Sequence, residues 1–127
     1  MANECIPLYT PASDVTVRAA SAIVGKTFVA LLGGVNPSTG QLATVVPAPL
    51  AGASVGVASR DTASGAVMHL IRAKGIIVPV TAGGDVSVGA EVEVGANGRA
   101  VTLASGKARG RAWSAGTAGN DVFVELY

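Results

Sequence analysis

Charged residues are scarce in this chain of 127 residues. Nine basic and eight acidic side chains make up 13% of the sequence, whereas globular proteins average about 25%. Half of the residues are hydrophobic, and the mean hydropathy is +0.51. A net charge of +1 gives no general attraction to nucleic acid or to acidic lipid. So little charge indicates a protein that buries part of its outside against partner proteins.

Long hydrophobic runs are absent as well. The longest candidates, Phe28 to Leu32 and Ile76 to Val80, are far shorter than the roughly 20 residues that a membrane-spanning helix needs. We therefore predict a small soluble protein that has no membrane partner. Cys5 is the single cysteine, which rules out an intrachain disulfide and suits synthesis in a reducing cytoplasm.

Residues that could perform catalysis are equally few. Gly25-Lys26-Thr27 lacks the earlier glycine of a phosphate-binding loop, because Ala20 occupies that position. His69 is the only histidine, and a structural role is expected for it. Glu91 and Glu93 share a strand face, but carboxylate pairs that cleave sugars also need an aromatic cleft, so a solvated face is expected. We predict no enzyme activity, no catalytic, cofactor-binding or metal site, and no small-molecule substrate.

Turn residues are abundant, with 17 glycines and six prolines. Between the turns, hydrophobic residues alternate with period two, as in residues 122–126, which places one face of each strand in a core. Asn97-Gly98 favours a tight hairpin turn, because both residues tolerate positive φ. These patterns predict an all-β fold, a compact antiparallel β-barrel or sandwich, over residues 14–127. Residues 1–13 lack the periodicity and are predicted to form a short extended N-terminal arm.

A weak internal echo joins two parts of the chain. Gly56-Val57-Ala58 and Gly110-Arg111-Ala112 are each followed by a Thr-Ala pair, a glycine and an apolar strand. Small residues recur easily in a chain so rich in glycine and alanine. Chance repetition and true duplication therefore both stay open.

Lys107, Arg109 and Arg111 form the one cluster of like charge. They alternate with small residues, so on a strand all three would project to the same side. Three roles stay open for them: a solvated face, a patch that docks an acidic protein surface, or a contact with a phosphate backbone. Nucleic-acid binders on β-folds usually add stacking aromatics, and only Trp113 is nearby, so no nucleic-acid partner is predicted. Lys107 could alternatively carry the covalent group of a biotin- or lipoyl-type carrier domain.

The order and spacing of the motifs from about Asp14 to Tyr127 resemble a family of small bacteriophage and prophage proteins, the capsid decoration proteins. No single motif is specific, and the likeness lies in their succession along the chain. The matching segments are Gly25 to Leu32, Gly56-Val57-Ala58 with Asp61 and Gly65, Arg72 to Val80, Gly89-Ala90-Glu91-Val92, Asn97-Gly98 with Val101-Thr102, Gly110-Arg111-Ala112, and Val122 to Leu126.

The resemblance implies a structural protein of the virion that is made in the host cytoplasm and binds the outer surface of an assembled capsid. It implies the major capsid protein as partner and a homo-oligomer, with a trimer expected. A ligand that binds only the assembled shell stabilises that shell by mass action. The carrier domain and another phage head or tail component remain as alternatives.

Two sets of residues are assigned to these contacts as hypotheses. Capsid docking is assigned to Lys107, Arg109 and Arg111. Contacts between subunits are assigned to apolar residues and prolines of the arm and of a proline-rich loop, namely Ile6, Pro7, Leu8, Tyr9, Pro11, Val46, Pro47, Pro49 and Leu50.

Overall fold

Ten β-strands and one 3-10 turn form the regular structure of residues 3–4 and 14–127, the part of the chain that the computed structural model describes. All of the predicted arm except residues 3 and 4 lies outside this part. The elements are β1 (Asp14–Ala19), β2 (Phe28–Gly33), β3 (Thr44–Pro47), β4 (Gly56–Ala58), β5 (Val67–Ile71), β6 (Ile77–Thr81), β7 (Glu91–Val94), the 3-10 turn (Ala96–Gly98), β8 (Ala100–Thr102), β9 (Gly110–Ala112) and β10 (Asp121–Leu126).

The first five strands close into a barrel in the order β1-β3-β2-β4-β5, with β5 pairing back to β1. The last five form a sheet in the order β6-β10-β9-β7-β8, and a parallel bridge between Ala82 and Ala100 joins its two ends, so we refer to this sheet as the second barrel. The predicted all-β barrel is confirmed. Its paired strands are antiparallel except for β1 and β3, which run parallel. The chain reverses direction before β2 and again after it, so β3 runs the same way as β1.

The two halves repeat each other residue by residue. In the first half β1 pairs Val17 with Met68 of β5, and in the second half β6 pairs Val80 with Val122 of β10. The correspondence extends outside the strands. The Gly65 amide donates to the Ala19 carbonyl at 2.8 Å, and the Gly119 amide donates to the Ala82 carbonyl at 2.9 Å. The echo between residues 56–58 and 110–112 is thus part of a structural duplication, since these segments are the equivalent strands β4 and β9.

The repeats differ most in the connection between their second and third strands. The first repeat uses the long loop from residue 34 to residue 43, whereas the second uses the predicted Asn97-Gly98 hairpin. Asn97 and Gly98 have φ of 59° and 73°, the positive values that the tight primed turn requires. A Cβ on Gly98 would overlap the carbonyl oxygen of Phe28, so the hairpin tip packs directly on the first barrel.

Two hydrophobic cores result, one in each barrel. The first core contains Val17, Val29, Val45 and other residues that point into the first barrel. The core of the second barrel also receives Phe28 and Val57, which point outward from the first barrel. Both side chains are 1% exposed, so the outer face of β2 and β4 serves as the contact between the barrels.

A polar link closes the edge of this contact. The Lys26 carbonyl accepts a hydrogen bond from the Thr81 amide at 2.8 Å, and Lys26 Nζ donates to Asp121 Oδ2 at 2.7 Å. That hydrogen bond lowers the pKa of the Asp121 carboxyl. The pair is solvent-exposed, so it adds little stability to this contact. Within the described residues, no helix has the length and hydrophobicity needed to cross a membrane.

Candidate docking surface

The outer face of the second barrel carries the chain's most distinctive surface. In β10, Val122, Val124 and Leu126 are buried, which follows from the two-residue period of a strand. Phe123 and Glu125 alternate with them and point outward, and Tyr127 continues the same side. The neighbouring strands β6, β9 and β7 extend this face on both sides of β10.

Cross-strand pairing arranges the outward side chains in rows. In the upper row the Trp113 amide donates to the Phe123 carbonyl at 2.7 Å, and Phe123 pairs with Pro79 of β6. The middle row begins with Ile77 of β6 and is otherwise charged, because Ile77 pairs with Glu125 of β10, Glu125 pairs with Arg111 of β9, and Arg111 pairs with Glu91 of β7. Residues paired directly across antiparallel strands share a face, so each row is continuous.

A third row follows the charged one, since the Tyr127 amide donates to the Arg109 carbonyl at 3.2 Å. We define the aromatic face as the outward side chains of the upper and middle rows together with Tyr127. It therefore comprises Pro79, Phe123, Trp113, Ile77, Glu125, Arg111, Glu91 and Tyr127.

Three of the chain's five aromatic residues lie on this face. Trp113 is 58% exposed, Phe123 is 51% exposed and Tyr127 is 44% exposed. Large aromatic side chains exposed together on one side of a small protein mark a binding surface more often than chance.

The carboxylates of the middle row hold two of these rings in place. Trp113 Nε1 donates to Glu125 Oε1 at 2.9 Å, and the Tyr127 hydroxyl donates to Glu91 Oε2 at 2.8 Å. The second hydrogen bond raises the pKa of the Tyr127 hydroxyl, because the bond favours the protonated phenol. Both rings are thus oriented before a partner arrives, which lowers the entropy lost on binding.

The predicted docking residues fall partly on this face. Arg111 lies in its middle row, is exposed, and donates through Nη1 to the Gly89 carbonyl at 2.8 Å. Arg109 is half-buried and donates through Nη2 to the Gly52 carbonyl at 3.4 Å, while its Nε is buried without a hydrogen-bond partner among the described residues. Lys107 is exposed but precedes β9, which begins at Gly110. The three cations therefore differ in environment. Only Arg111 lies within a strand, so the alternation that would place all three on one side does not extend to Lys107 and Arg109.

The expectation for Glu93 was wrong. Glu91 is half-buried at the edge of the aromatic face and still reaches solvent. Glu93, for which a solvated position was expected, is only 6% exposed. Its Oε2 accepts a hydrogen bond from the Gly106 amide. The segment after β8 folds over this end of β7, so the carboxylate anchors that segment and is removed from water.

The residues assigned to subunit contacts are only partly placed. Those between Ile6 and Pro11 lie outside the described residues. In the proline-rich loop, Val46 is half-buried in β3, whereas Pro47, Pro49 and Leu50 are exposed, Leu50 at 72%. The Ala51 amide donates to the Val94 carbonyl at 2.8 Å, so the second barrel holds the end of this loop.

Other residues considered for chemistry lie outside the aromatic face. Gly25-Lys26-Thr27 lies in the turn before β2, where Lys26 joins the barrels. His69 is exposed on the outer side of β5. In the described parts of the chain, no three histidine, cysteine or acidic side chains are grouped so that they could hold a metal ion.

Reasoning from the sequence missed the aromatic face itself. A signal was present, because the alternation of residues 122–127 assigns Phe123 and Tyr127 to the outward side. Trp113 joins them only through the pairing of β9 with β10, which the sequence pattern does not give.

Comparison with known proteins identifies the class to which this fold and surface belong. The family of phage cement proteins matches residues 9–126, and the chain belongs to that family. It is accordingly a structural protein of the phage virion that binds and stabilises the capsid. The resemblance to capsid decoration proteins is confirmed.

A solved structure shares the fold. The head fiber gp8.5 N base of bacteriophage phi29 is 22% identical, with a TM-score of 0.75 over 90% of this chain and 92% of that chain. No curated protein sequence matches the chain.

Proposed function

We propose that the protein binds the outer surface of an assembled phage capsid through the aromatic face of its second barrel, with no enzymatic role. The observation that carries this proposal is the exposure of Trp113, Phe123 and Tyr127 around Arg111 on one face of the second barrel. Tryptophan, tyrosine and arginine are the residues that dominate the binding energy of protein interfaces. The solved neighbour is the base of a fibre on a phage head, which favours the head as the place of attachment.

The charge pattern of the face favours a protein partner over nucleic acid. Arg111 stands between Glu91 and Glu125 in one row, so a phosphate backbone near the arginine would also meet two carboxylates. Protein surfaces that bind nucleic acid instead present several lysines and arginines, which neutralise many phosphates. The major capsid protein is therefore the partner that we propose.

Charge reversal at Lys107 and Arg111 tests this proposal. Lys107→Glu together with Arg111→Glu should weaken binding to expanded capsids about tenfold at low salt, and less at high salt, because salt screens the attraction between exposed charges. Arg109 is left unchanged, because it is half-buried and its reversal would disturb folding. Occupancy on capsids by quantitative electron microscopy is the measurement.

The matched control reverses two exposed cations away from the face, Arg60→Glu with Arg99→Glu. It changes the net charge equally and should leave capsid occupancy within twofold of the original protein. Equal weakening by both variants would show that only overall charge matters and would remove this face from the proposal.

We also propose that the protein assembles as a homotrimer through the proline-rich loop. Leu50 is 72% exposed, and burying a leucine side chain contributes about 2 kcal/mol. Leu50→Ser should therefore raise the concentration at which the trimer dissociates tenfold or more in sedimentation equilibrium. Val88→Ser, at a side chain exposed by 69%, is the control. Equal dissociation of both variants would exclude the loop as the subunit contact.

A further inference from the structure

The duplication gives the charged middle row of the aromatic face a counterpart in the first barrel. β2 pairs Phe28 with Val57 of β4, and Val57 pairs with Ile71 of β5. β7 pairs Glu91 with Arg111 of β9, and Arg111 pairs with Glu125 of β10. The same three positions of the sheet are apolar in one repeat and charged in the other.

The apolar row makes the contact between the barrels. Phe28 and Val57 are 1% exposed and belong to one buried cluster with Val78, Val94 and Leu126 of the second barrel. Ile71 packs against the same cluster. The outer face of one repeat therefore covers an end of the next repeat within the same chain.

Among the described residues, no apolar row of another repeat covers the corresponding end of the first barrel. Its residue equivalent to Val94 is Leu31, because Leu31 pairs with Val45 as Val94 pairs with Ala100. Leu31 is 56% exposed, and the adjacent Leu32 and Val35 are 67% and 43% exposed. Each chain thus carries exposed apolar residues at the end that an apolar row covers in the other repeat, beside Arg72 in the position of Leu126, together with a row that has become charged.

We infer that the row Glu91–Arg111–Glu125 determines which partner the aromatic face accepts. Placing these side chains on the same end of another copy would take three charges out of water, and this desolvation costs several kcal/mol that their mutual attraction does not fully recover. An apolar row there would let copies add head to tail without closing, the arrangement that produces fibres. The row therefore blocks stacking of this chain on itself and keeps the face free for a different surface.

The same row defines the chemistry of the surface that fits. Its signs run negative, positive, negative across neighbouring strands, which lie about 4.8 Å apart. The matching surface carries a basic, an acidic and a basic side chain at similar spacing. This part of the inference rests on the proposed function, since it assigns that pattern to the capsid surface.

Grafting the apolar row onto the second barrel tests the inference. Glu91→Phe, Arg111→Val and Glu125→Ile together should produce species heavier than the original oligomer, with a mass that rises with concentration in sedimentation velocity. The same variant should bind capsids at least tenfold more weakly. Glu91→Gln, Arg111→Gln and Glu125→Gln together remove the charges without an apolar row, so this control should lose capsid affinity but keep the original mass.

A further variant separates stacking from general aggregation. Adding Leu31→Lys to the graft charges the receiving end and should restore the original mass. A folded graft that keeps the original mass, or heavy species that persist with Leu31→Lys, would overturn the inference. Should the triple graft fail to fold, as judged by its urea midpoint, Arg111→Val alone is measured for the same concentration-dependent mass. Self-association is read without capsids, so its outcome is independent of whether the aromatic face docks there.

Discussion

Replacing Trp113 with alanine should lower the affinity of the protein for assembled capsids about thirtyfold, which corresponds to about 2 kcal/mol. Trp113 lies in the upper row of the aromatic face and is 58% exposed, so its removal leaves no cavity in the core. Its ring is oriented by the hydrogen bond from Nε1 to Glu125, which is the preorganisation expected of a side chain that dominates an interface. Titration of purified protein onto empty expanded capsids gives the affinity.

Val24→Ala is the control for this substitution. Val24 is 64% exposed in the turn before β2 of the first barrel. Its replacement therefore measures the effect of removing an exposed apolar side chain that lies away from the aromatic face. Its affinity should stay within twofold of the original. If Trp113→Ala binds as tightly as Val24→Ala while both remain folded, the aromatic face does not carry the binding energy.

Gly98→Ala should destabilise the fold by about 3 kcal/mol or more. Gly98 has φ of 73°, where an alanine costs about 1–2 kcal/mol. A Cβ would also overlap the Phe28 carbonyl oxygen and approach the Thr27 side chain at 3.3 Å. The backbone at the contact between the barrels would have to shift, so the loss should exceed the conformational cost alone. Urea unfolding followed by tryptophan fluorescence gives the free energy.

Gly40→Ala isolates the conformational part of that loss. Gly40 has φ of 76°, nearly the value at Gly98, but a Cβ there meets nothing within 4 Å. The expected loss is about 1–2 kcal/mol. Equal losses for the two variants would mean that the hairpin tip does not press against the first barrel.

The sequence was sufficient for the fold class, because hydrophobic alternation and turn residues act locally. The alternation in residues 122–126 and the Asn97-Gly98 turn both appear in the structure as predicted. The closure of each barrel could not be predicted in the same way, because it depends on strand pairs such as Ala19 with Val45 that are far apart in the chain. The duplication was visible only as an echo, because the two repeats preserve pairing register while changing most side chains.

The site was harder to predict for the same reason. A face assembled from β9 and β10 brings Trp113 beside Phe123, which no local pattern specifies. Glu93 shows the limit of alternation, because period two assigns a side chain to a face but does not reveal whether another segment covers that face. Arg109 shows the same limit, since the Gly52 carbonyl that it contacts belongs to a distant loop.

Cryo-electron microscopy of expanded capsids saturated with the protein, at a resolution that shows side chains, tests the central claim most directly. We predict that Trp113, Tyr127 and Arg111 contact the capsid protein and that a basic, an acidic and a basic capsid residue face Glu91, Arg111 and Glu125. A reconstruction in which the aromatic face points to solvent, with another side of the protein on the shell, would contradict the account.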